Sequence, residues 1–587
     1  MEKEKNRSAG IKPYRQAVPD IIRYQLVSKT FMFVLLGIMK QVMSTLLRST
    51  GRTALTSGDL RFLFVTWQGI LLIVLSFLVL LVYVIFDLNT KILLCGRLIN
   101  EGTVRVTETI RDSVRRSKAF FCPDGFIIVL YIALIAPVIG FSLSISLTEN
   151  FYIPTFISSV IETTPLYNLL YTTAMILFVL VGFLNVFCLH GVLLDEMSVQ
   201  DARKQSTALI RQYWKNYLKE NFRFTIGFFL VSGILVLLFG ASPVVLGLLL
   251  ADTERNMRFW FILAAFLMLV ASALYAFLSV PFQLLKITQL YYSYKEGERK
   301  QWPQHSRKWH PLLLTAWVLT MAAAVGTAWL TNKYFDEIVP QGTSVKIIAH
   351  RGGGNEGAEN TVSGMETAWE LGAWGSEIDI QRTADGYYIL NHDGTFARTA
   401  GVNRKPEEMT LEEIRALDVD GEPVPTLEEM LEASRGKVIL FIELKGNTAD
   451  RRMAEDAVRI LKEMNMEDQA VLISLKYDLI DYIESTWPEI RTGYLTFMSF
   501  GDISSLNCDY IGLEEEAATY SVINAVHEQG KQVLVWTVNE AEKQRTFMLR
   551  DIDGIITDNV AQAAETVEEL EKREDLTRLF DLFLTMW

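Results

Sequence analysis

The sequence predicts two parts of different fold class: a bundle of membrane-spanning helices, followed by a closed barrel of alternating strands and helices. Three observations support this prediction. The chain of 587 residues is 50% hydrophobic, which is high for a soluble protein. Long apolar runs are confined to the first 340 residues. From about Val345 onward, short runs rich in β-branched residues alternate with amphipathic stretches.

Six apolar runs in the first part approach the ~20 residues that cross a bilayer. A seventh segment, 31–47, is interrupted by Lys40 and predicts a weaker span. One such run is compatible with a buried helix of a soluble protein, but six in succession favour a membrane domain. We therefore predict about seven membrane helices within residues 1–340, and a second domain at 341–587. The six clear runs are 68–86, 126–146, 167–190, 225–250, 259–285 and 311–330.

The loops between these runs predict the orientation of the helices. Because loops rich in Lys and Arg stay in the cytoplasm, we expect a multi-pass protein of the cell membrane with a cytoplasmic N-terminus and a C-terminal domain outside. If 31–47 lies flat on the bilayer instead of crossing it, only the N-terminal segment changes side. Lys and Arg are abundant at 1–30, 87–125, 191–224 and 286–310, and scarce at 48–67, 147–166 and 251–258.

Charge and cysteine content exclude some functions. The formal net charge is −12, with the acidic excess after residue 340 and a basic excess before it. An acidic domain binds nucleic acid poorly, so no nucleic-acid partner is expected. No run of acidic residues lies inside the spans, which favours an anchor over a transporter. The four cysteines, Cys95, Cys122, Cys188 and Cys508, form no disulfide framework and no zinc-type pair.

The second part has the pattern of a (β/α)8, or TIM, barrel, because eight strand–helix units fit into its length. An additional strand, 387–393, follows a turn at 384–386 and predicts a small insertion after strand 2. The tail, 561–587, is amphipathic and is expected to pack on the barrel, with the bilayer surface as the alternative. Predicted strands are 346–350, 377–380, 438–444, 470–474, 491–495, 510–513, 532–538 and 554–558; predicted helices are 362–371, 450–464, 478–485, 519–529 and 540–550.

Residues suited to chemistry recur where these strands end, and the carboxyl ends of barrel strands carry the active site. Glu377 and Asp379 lie two apart on one strand, and therefore on one face of it. A single reactive residue at a strand end means little, but several together predict an active site. The set is His350, Arg351, Glu377, Asp379, His392, Asp393, Glu443, Lys445, Trp536 and Asp558.

Three converging carboxylates, those of Glu377, Asp379 and Glu443, would repel one another. A hard divalent cation, Mg²⁺ or Ca²⁺, relieves this repulsion because it prefers oxygen ligands. The alternative for each acid alone is a salt bridge to Lys445 or Arg351. For the three together, the sequence predicts a metal site.

Two histidines beside this site, His350 and His392, suit general acid–base chemistry. Arg351 and Lys445 supply positive charge for a phosphate group. A glycosidase pair would also use two carboxylates, but it would leave the histidines and the cations without a purpose. The set therefore favours phosphoryl transfer.

An ordered series of segments carries these residues: HRGGGNEGAENT (350–361), EIDIQRTADG (377–386), NHD (391–393), TLEEIRALD (410–418), PTLEEMLEA (425–433), IELK (442–445), VWTVN (535–539) and DGIITDN (553–559). These segments resemble the signatures of the glycerophosphodiester phosphodiesterase family. The multi-span region before them is similar to the membrane domain that is fused to this enzyme in some bacterial members.

The resemblance implies a TIM barrel with a small insertion and a divalent metal ion. In the family, the neighbouring glycerol hydroxyl attacks phosphorus, and water then opens a cyclic phosphate to give glycerol 3-phosphate. By motif match, the metal ligands are Glu377, Asp379 and Glu443, the acid–base pair is His350 and His392, and the phosphate-binding residues are Arg351 and Lys445. Glu359 is expected to support the site. Trp536 is expected either to pack against the glycerol or to fill the barrel.

Two departures from the family pattern leave the substrate open. Ala358 stands where a proline commonly precedes Glu359, and ISLKYD (473–478) lacks the aromatic residue that commonly follows its serine. Three hypotheses are compatible with the sequence: a hydrolase of soluble glycerophosphodiesters or polyglycerol-phosphate polymers, a hydrolase of lysophospholipids or intact lipids, or a non-catalytic ligand-binding membrane protein. The choice between Mg²⁺ and Ca²⁺, the alcohol group and the oligomeric state stay open.

Overall fold

The computed structural model describes residues 12–56, 60–102, 104–120, 122–128, 131, 155–296, 311–339 and 341–586. Contacts divide the chain into two compact units. The first comprises Met1–Gln41, Leu71–Phe151 and Ile161–Phe335, and the second comprises Val42–Ile70, Tyr152–Val160 and Asp336–Trp587. The second unit thus includes two short segments from the helical part of the sequence. The division into domains at residue 340 stays a prediction.

Helices make up the first part of the chain, and most of their apolar side chains face outward. Within the described ranges, six helical segments are long and apolar enough to cross a membrane: Ala17–Arg48, Trp67–Glu101, Pro165–Leu194, Val199–Leu250, Glu254–Glu296 and Leu314–Lys333. They coincide with six of the predicted spans, including 31–47. Most of the seventh, 126–146, lies outside the described residues. Exposed leucines such as Leu237 and Leu249 suit a lipid environment.

The individual helices of this part are Lys12–Arg48, Leu60–Val65, Trp67–Tyr83, Thr90–Glu101, Val106–Arg116, Thr155–Thr163, Pro165–Leu184, Cys188–Leu194, Val199–Leu250, Glu254–Glu296, Pro311–Lys333 and Phe335–Ile338, with a π-helical turn at Val84–Asn89 and a 3-10 turn at Ser117–Phe120.

A buried ion pair lies within the second of these helical segments. The Lys91 ammonium donates to Asp87 Oδ2 over 2.7 Å. The Tyr83 hydroxyl donates to the same oxygen over 2.9 Å, and the Ser28 hydroxyl donates to Asp87 Oδ1 over 3.2 Å. The negative charge of Asp87 is thus compensated by Lys91, and hydroxyl groups serve the remaining carboxylate lone pairs.

Eight parallel strands form the closed barrel that the sequence predicts. They are β1 (Lys346–Ala349), β2 (Gly375–Arg382), β3 (Ile439–Leu444), β4 (Ala470–Ser474), β5 (Thr492–Thr496), β6 (Tyr510–Glu514), β7 (Gln532–Trp536) and β8 (Gly554–Thr557). Each strand pairs with the next, β8 pairs with β1, and β1 pairs with β2. Side-chain alternation along the strands explains the two layers of core. Ile348 packs with interior residues such as Phe441, whereas Ile347 packs with residues of the outer helices.

Seven α-helices surround the barrel: Val362–Glu370, Leu427–Ser434, Arg451–Met464, Tyr477–Thr486, Tyr520–Glu528, Ala541–Met548 and Val560–Glu571. The helix Leu427–Ser434, which follows β2, is absent from the predicted set. Its start is defined by a capping box, in which Thr426 and Glu429 each accept from the other's backbone N–H. Between β5 and β6 the chain forms only the strand Ser499–Gly501 and the 3-10 turn Ile503–Ser505.

An insertion between β2 and β3 confirms the second-strand insertion in the prediction. Its strand Tyr388–Leu390 runs antiparallel to β2, with Leu390 opposite Ile380. Beyond it lie the helices Ala397–Ala400 and Leu411–Arg415, the 3-10 turn Pro406–Glu408, and a short ladder of Asp418–Val419 with Glu422–Pro423. The insertion has its own small apolar cluster, which includes Phe396 and Ile414.

The C-terminal helix, Asp575–Met586, packs on the barrel through a buried charge. Asp581 is 2% exposed and accepts from Arg545 and from Arg573, each over 2.9 Å. Arg578 in the same helix donates to Asp336 over 2.9 Å. These contacts support packing on the barrel, the first of the two expectations for the tail.

Candidate active site

Three buried carboxylates meet at the carboxyl ends of β2 and β3. Asp379 lies directly opposite Glu443 in the ladder, and Glu377 precedes Asp379 by two residues on the same face. One carboxylate oxygen from each of the three lies within 4.8 Å of the others. The three residues are 3%, 0% and 6% exposed for Glu377, Asp379 and Glu443. The structure therefore brings together the predicted ligand triad.

The charge of this triad is balanced only in part by the protein, through Lys445 and the neighbouring His350 and His392. The Lys445 ammonium donates to Asp379 over 2.8 Å and to Glu443 over 3.1 Å. Burial is the largest single influence on the pKa of Asp379 and works to raise it, but the charges of Lys445 and His392, together with hydrogen bonds from Lys445 and Asn360, hold that pKa low. Burial, aided by the Asp379 charge, raises the pKa of Glu377. Burial also raises the pKa of Glu443.

One ammonium thus faces three acids that lie close together and away from water. A divalent cation would supply the missing positive charge, and three carboxylate donors suit a hard cation. The chemistry of the donor set therefore fits the metal that the sequence predicts.

The loop after β1 folds over the triad in an unusual backbone conformation. Arg351 and Asn360 have φ of 50° and 54°, in the left-handed region that non-glycine residues seldom adopt. This geometry lets the Arg351 backbone N–H donate to Glu377 Oε2 over 2.8 Å. Gly354 also has positive φ, and a Cβ there would lie 2.4 Å from the Asp558 carbonyl oxygen. Glycine is therefore required where the loop passes β8.

His350 is held by a carboxylate from the end of β8. Its Nδ1 lies 2.6 Å from Asp558 Oδ1, and Asn539 Nδ2 donates to Asp558 Oδ2 over 2.6 Å. Burial works to lower the pKa of His350, but the hydrogen bond to Asp558 and the Glu377 charge outweigh it and raise that pKa. The other ring nitrogen, Nε2, lies 3.9 Å from Glu377 Oε2. Nε2 is thus the nitrogen on the side of the triad.

His392 is held in a similar way by the insertion. Its Nδ1 lies 2.8 Å from Asp393 Oδ1, and its Nε2 lies 3.0 Å from Arg351 Nη2. Burial is the largest cause that lowers the pKa of His392, and the Lys445 and Arg351 charges lower it further. The two histidines therefore have pKa values displaced in opposite directions, which is the arrangement of an acid–base pair.

Arg398 ties the histidine side of the site together. Its guanidinium donates to both oxygens of Glu359 over 2.7 Å and to Asp393 over 2.9 Å and 3.1 Å. Arg351 contacts the same Glu359 over 3.3 Å. Glu359 therefore lies between two arginines, and it fixes the orientation of both.

Trp536 ends β7 and is half-buried against the residues that fill the barrel, including Leu534 and Tyr510. This position is compatible with both expected roles. The predicted site residues thus lie at one end of the barrel, and their individual roles stay predictions.

Sequence reasoning missed the partners of these residues. Asp558 and Asp393 stand at predicted strand ends, but the patterns give no sign that they hold the histidines. Asn360, whose Nδ2 donates to Asp379 over 2.9 Å, lies inside a matched segment and received no role. Arg398 and Asn539 are ordinary polar residues in sequence, and only the fold shows what they contact.

Comparison with known proteins gives the family of this chain. Residues 8–327 match a family described as the membrane domain of glycerophosphoryl diester phosphodiesterase, and residues 350–562 match the glycerophosphoryl diester phosphodiesterase family. The glycerophosphodiester phosphodiesterase of Caldanaerobacter subterraneus subsp. tengcongensis is 30% identical over 232 residues, which are 36% of this chain and 93% of that protein. Glycerophosphodiester phosphodiesterase 1 of Bos taurus is 32% identical over 307 residues, covering 43% of this chain and 92% of that protein.

Solved structures are also similar to the barrel. A glycerophosphodiester phosphodiesterase from Agrobacterium tumefaciens str. C58 is 26% identical, with a TM-score of 0.34, over 38% of this chain and 99% of that one. A phosphodiesterase from Oleispira antarctica, solved with the product sn-glycerol-3-phosphate, is 23% identical, with a TM-score of 0.36, over 38% of this chain and 96% of that one. On the family matches, this chain belongs to the glycerophosphodiester phosphodiesterases, as an enzyme that combines the catalytic barrel with that family's membrane domain.

Proposed function

We propose that the barrel hydrolyses glycerophosphodiesters to glycerol 3-phosphate and an alcohol, using Mg²⁺ or Ca²⁺ held by Glu377, Asp379 and Glu443. The observation that carries this proposal is the buried triad, whose oxygens lie within 4.8 Å of one another. When bound, the cation would withdraw charge from the phosphoryl oxygens and favour attack on phosphorus.

The histidines move the protons. Each has its Nδ1 beside a carboxylate, so each presents Nε2 to a substrate. In the first step one histidine takes the proton of the glycerol hydroxyl that attacks phosphorus, and the other donates a proton to the departing alcohol. In the second step water attacks the cyclic phosphate, and the two histidines exchange roles. His350 and His392 suit this pair because both lie beside the triad end of the barrel and each is held through Nδ1.

The basic side chains of Arg351 and Lys445 hold the phosphate. Arg351 has a planar guanidinium that pairs with phosphate oxygens through two hydrogen bonds, and Lys445 acts as a point charge. Glu359, together with Arg398, orients Arg351. Trp536, at the end of β7, is suited to contact the glycerol carbons.

We propose that the reaction takes place on the side of the cell membrane that faces away from the cytoplasm. The distribution of Lys and Arg among the loops supports this location. Both residues are abundant at 87–125 and 191–224, and neither occurs at 147–166. The lipid bilayer is then the partner of the helices, and the barrel lies outside the cytoplasm.

Release of glycerol 3-phosphate from glycerophosphocholine tests the proposal. The purified full-length chain is assayed with Mg²⁺, with Ca²⁺ or with chelator, beside Glu377→Gln and the control Glu412→Gln, which changes an exposed acid of the insertion. We expect cation-dependent release that Glu377→Gln abolishes and Glu412→Gln preserves. Equal release by Glu377→Gln and the wild-type chain would contradict the metal assignment. No glycerol 3-phosphate under any condition would contradict the reaction.

A further inference from the structure

The wall of the barrel has a gap between β5 and β6. Every other connection between consecutive strands contains an α-helix, but residues 497–509 form only the strand Ser499–Gly501 and the 3-10 turn Ile503–Ser505. An α-helix at this place normally covers the apolar outer face of the strands. Something else must therefore cover Ile503, Leu506 and the strands beneath them.

A segment from the helical part of the sequence fills this gap. Residues Ala54–Thr56, here called the wall strand, run antiparallel to Ser499–Gly501, with Ala54 opposite Gly501 and Thr56 opposite Ser499. The Asp502 backbone N–H extends the pairing and donates to the Thr53 carbonyl over 3.1 Å.

Burial shows that the wall strand is part of the barrel core. Ala54 is 4% exposed and packs in one apolar cluster with Ile503, Leu506 and Ile523 of the barrel. Leu55 is 3% exposed, and Thr56 is 5% exposed. The wall strand therefore replaces the missing helix as a cover for the outer face.

The fit is close at Gly501, which has φ of 101°. A Cβ at this residue would lie 2.7 Å from the Thr53 carbonyl oxygen and 3.2 Å from Leu47 Cδ1. Leu47 is fully buried and belongs to the helix Lys12–Arg48, the first membrane segment. The end of a membrane helix thus contacts the barrel itself.

This contact lies near the catalytic end. Ser499 follows the carboxyl end of β5 by three residues, and the Thr496 hydroxyl donates to the Met498 carbonyl over 2.8 Å, which makes a tight turn there. Three residues span at most about 10 Å. The wall strand therefore pairs with the rim of the same barrel end that carries the triad.

An apolar helix follows the wall strand in the chain. The helix Leu60–Val65 begins four residues after Thr56, a reach of at most about 14 Å. Phe64, Val65 and Trp67 follow, and each is about two-thirds exposed, at 71%, 67% and 65%. Exposed apolar side chains with a tryptophan are typical of the boundary between bilayer and water.

Two candidate membrane spans, Ala17–Arg48 and Trp67–Glu101, thus flank the wall strand in the chain, and the wall strand pairs with the rim of the active site. A rim held at the bilayer surface would give the site access to a substrate whose acyl chain stays in the bilayer. We propose that the wall strand holds the active-site rim at the bilayer surface and that the substrate is a glycerophosphodiester carried by an acyl chain in the bilayer. This inference rests on the proposed function and specifies its substrate class.

Two substrates that differ only by an acyl chain test the inference. Full-length enzyme in lipid nanodiscs is given lysophosphatidylcholine within the bilayer, or glycerophosphocholine in solution, and choline release is measured for both. We expect kcat/KM to be at least about tenfold higher for the lipid. Equal or faster release from glycerophosphocholine would overturn the inference while leaving the proposed function intact. No choline from either substrate would overturn both.

A variant of the wall strand tests whether docking causes the preference. Leu55→Asp places a charge in the buried strand, and Ser49→Asp places the same charge at an exposed residue of the same segment. The readout is the ratio of the two rates, which does not depend on how much enzyme is folded. We expect Leu55→Asp to lower this ratio at least about fivefold and Ser49→Asp to leave it unchanged. An unchanged ratio in Leu55→Asp would overturn the inference.

A disulfide trap tests the docking itself. Thr56→Cys with Ser499→Cys joins two paired positions, in a background of Cys122→Ser that removes the exposed native cysteine. Mass spectrometry after mild oxidation should show the cross-link, with the ratio of rates retained. Absence of the cross-link, with each single cysteine still labelled by a thiol reagent, would show that the wall strand does not dock.

Discussion

Two buried lysine–aspartate pairs, one in each part of the molecule, differ in what surrounds them. In the helical part, Lys91 contacts Asp87 over 2.7 Å, and two hydroxyl groups serve the same carboxylate. In the barrel, Lys445 contacts Asp379 over 2.8 Å, but two more buried carboxylates lie beside it. The Asp87 carboxylate is compensated by cations, since the Lys29 charge acts on it as well as that of Lys91, whereas the barrel site keeps an excess of negative charge.

This difference separates a structural pair from a binding site. A compensated buried pair with its hydrogen bonds satisfied can hold helices together and needs no ligand. An uncompensated cluster is stable only when a cation or a proton joins it. Charge balance around a pair is thus more informative about function than its distance or its burial.

The largest effect is expected on catalysis in the barrel. His392→Ala should lower kcat by about 10²–10⁴-fold, the usual contribution of a general acid or base. Thermal unfolding should stay unchanged, because the His392 ring lies on the rim and its side-chain hydrogen bonds go to Asp393 and Arg351. Steady-state assays of glycerophosphodiester hydrolysis measure the loss of kcat. A His392→Ala enzyme with the kcat of the wild-type chain would contradict the acid–base assignment.

The opposite pattern is expected in the helical part. Lys91→Met leaves Asp87 buried without its partner and should cost about 3–5 kcal/mol of stability. Activity per folded molecule should not change. Thermal unfolding in detergent measures the first quantity and the specific rate measures the second. The double variant Asp87→Asn with Lys91→Met serves as the control and should recover most of the stability.

A cation should stabilise the barrel but not the helical part. At a hundred times its Kd, a bound cation adds about 2.7 kcal/mol to the free energy of unfolding. Mg²⁺ or Ca²⁺ should therefore raise the Tm of the barrel transition in the wild-type chain and leave Glu377→Gln unaffected. An equal rise in both proteins would place the bound cation elsewhere.

A smaller loss of kcat is expected when Arg398 is replaced, because Arg398 contacts Glu359 and Asp393 and not the triad. Residues that orient catalytic groups typically contribute about ten- to a hundredfold. Arg398→Ala should therefore lower kcat by an amount in this range, and Arg398→Lys should recover only part of it, because Lys cannot form the paired contacts. Arg404→Ala, which removes an exposed ion pair with Glu413, is the matched control.

Much of the barrel is predictable from sequence because its signals are local. A strand such as Ile439–Leu444 is a continuous apolar run, and Glu443 with Lys445 marks its end. The helix Leu427–Ser434 was not among the predicted helices, although its residues lie in the matched segment PTLEEMLEA (425–433). Its length does not explain the omission, because Ala541–Met548 also has eight residues and was predicted. Its capping residues, Thr426 and Glu429, were the available signal.

Partnerships between distant residues were not predictable in the same way. The hydrogen bonds of Asp558 with His350, and of Arg398 with Glu359, depend on where the fold places each element. The wall strand is a stronger case, because three residues between two membrane segments carry no pattern that distinguishes them from a loop. Its role becomes visible only with the gap between β5 and β6.

The wall strand also sets the order in which the enzyme can be completed during synthesis. Ala54–Thr56 leaves the ribosome long before Ser499–Gly501, by roughly 20 to 90 s at ~5–20 residues per second. For that time its backbone groups stand as an unpaired edge, which is prone to aggregation. Insertion of the helices on either side would confine this edge to the membrane surface while the barrel is still being translated. The barrel wall is therefore closed by one of its earliest synthesised pieces.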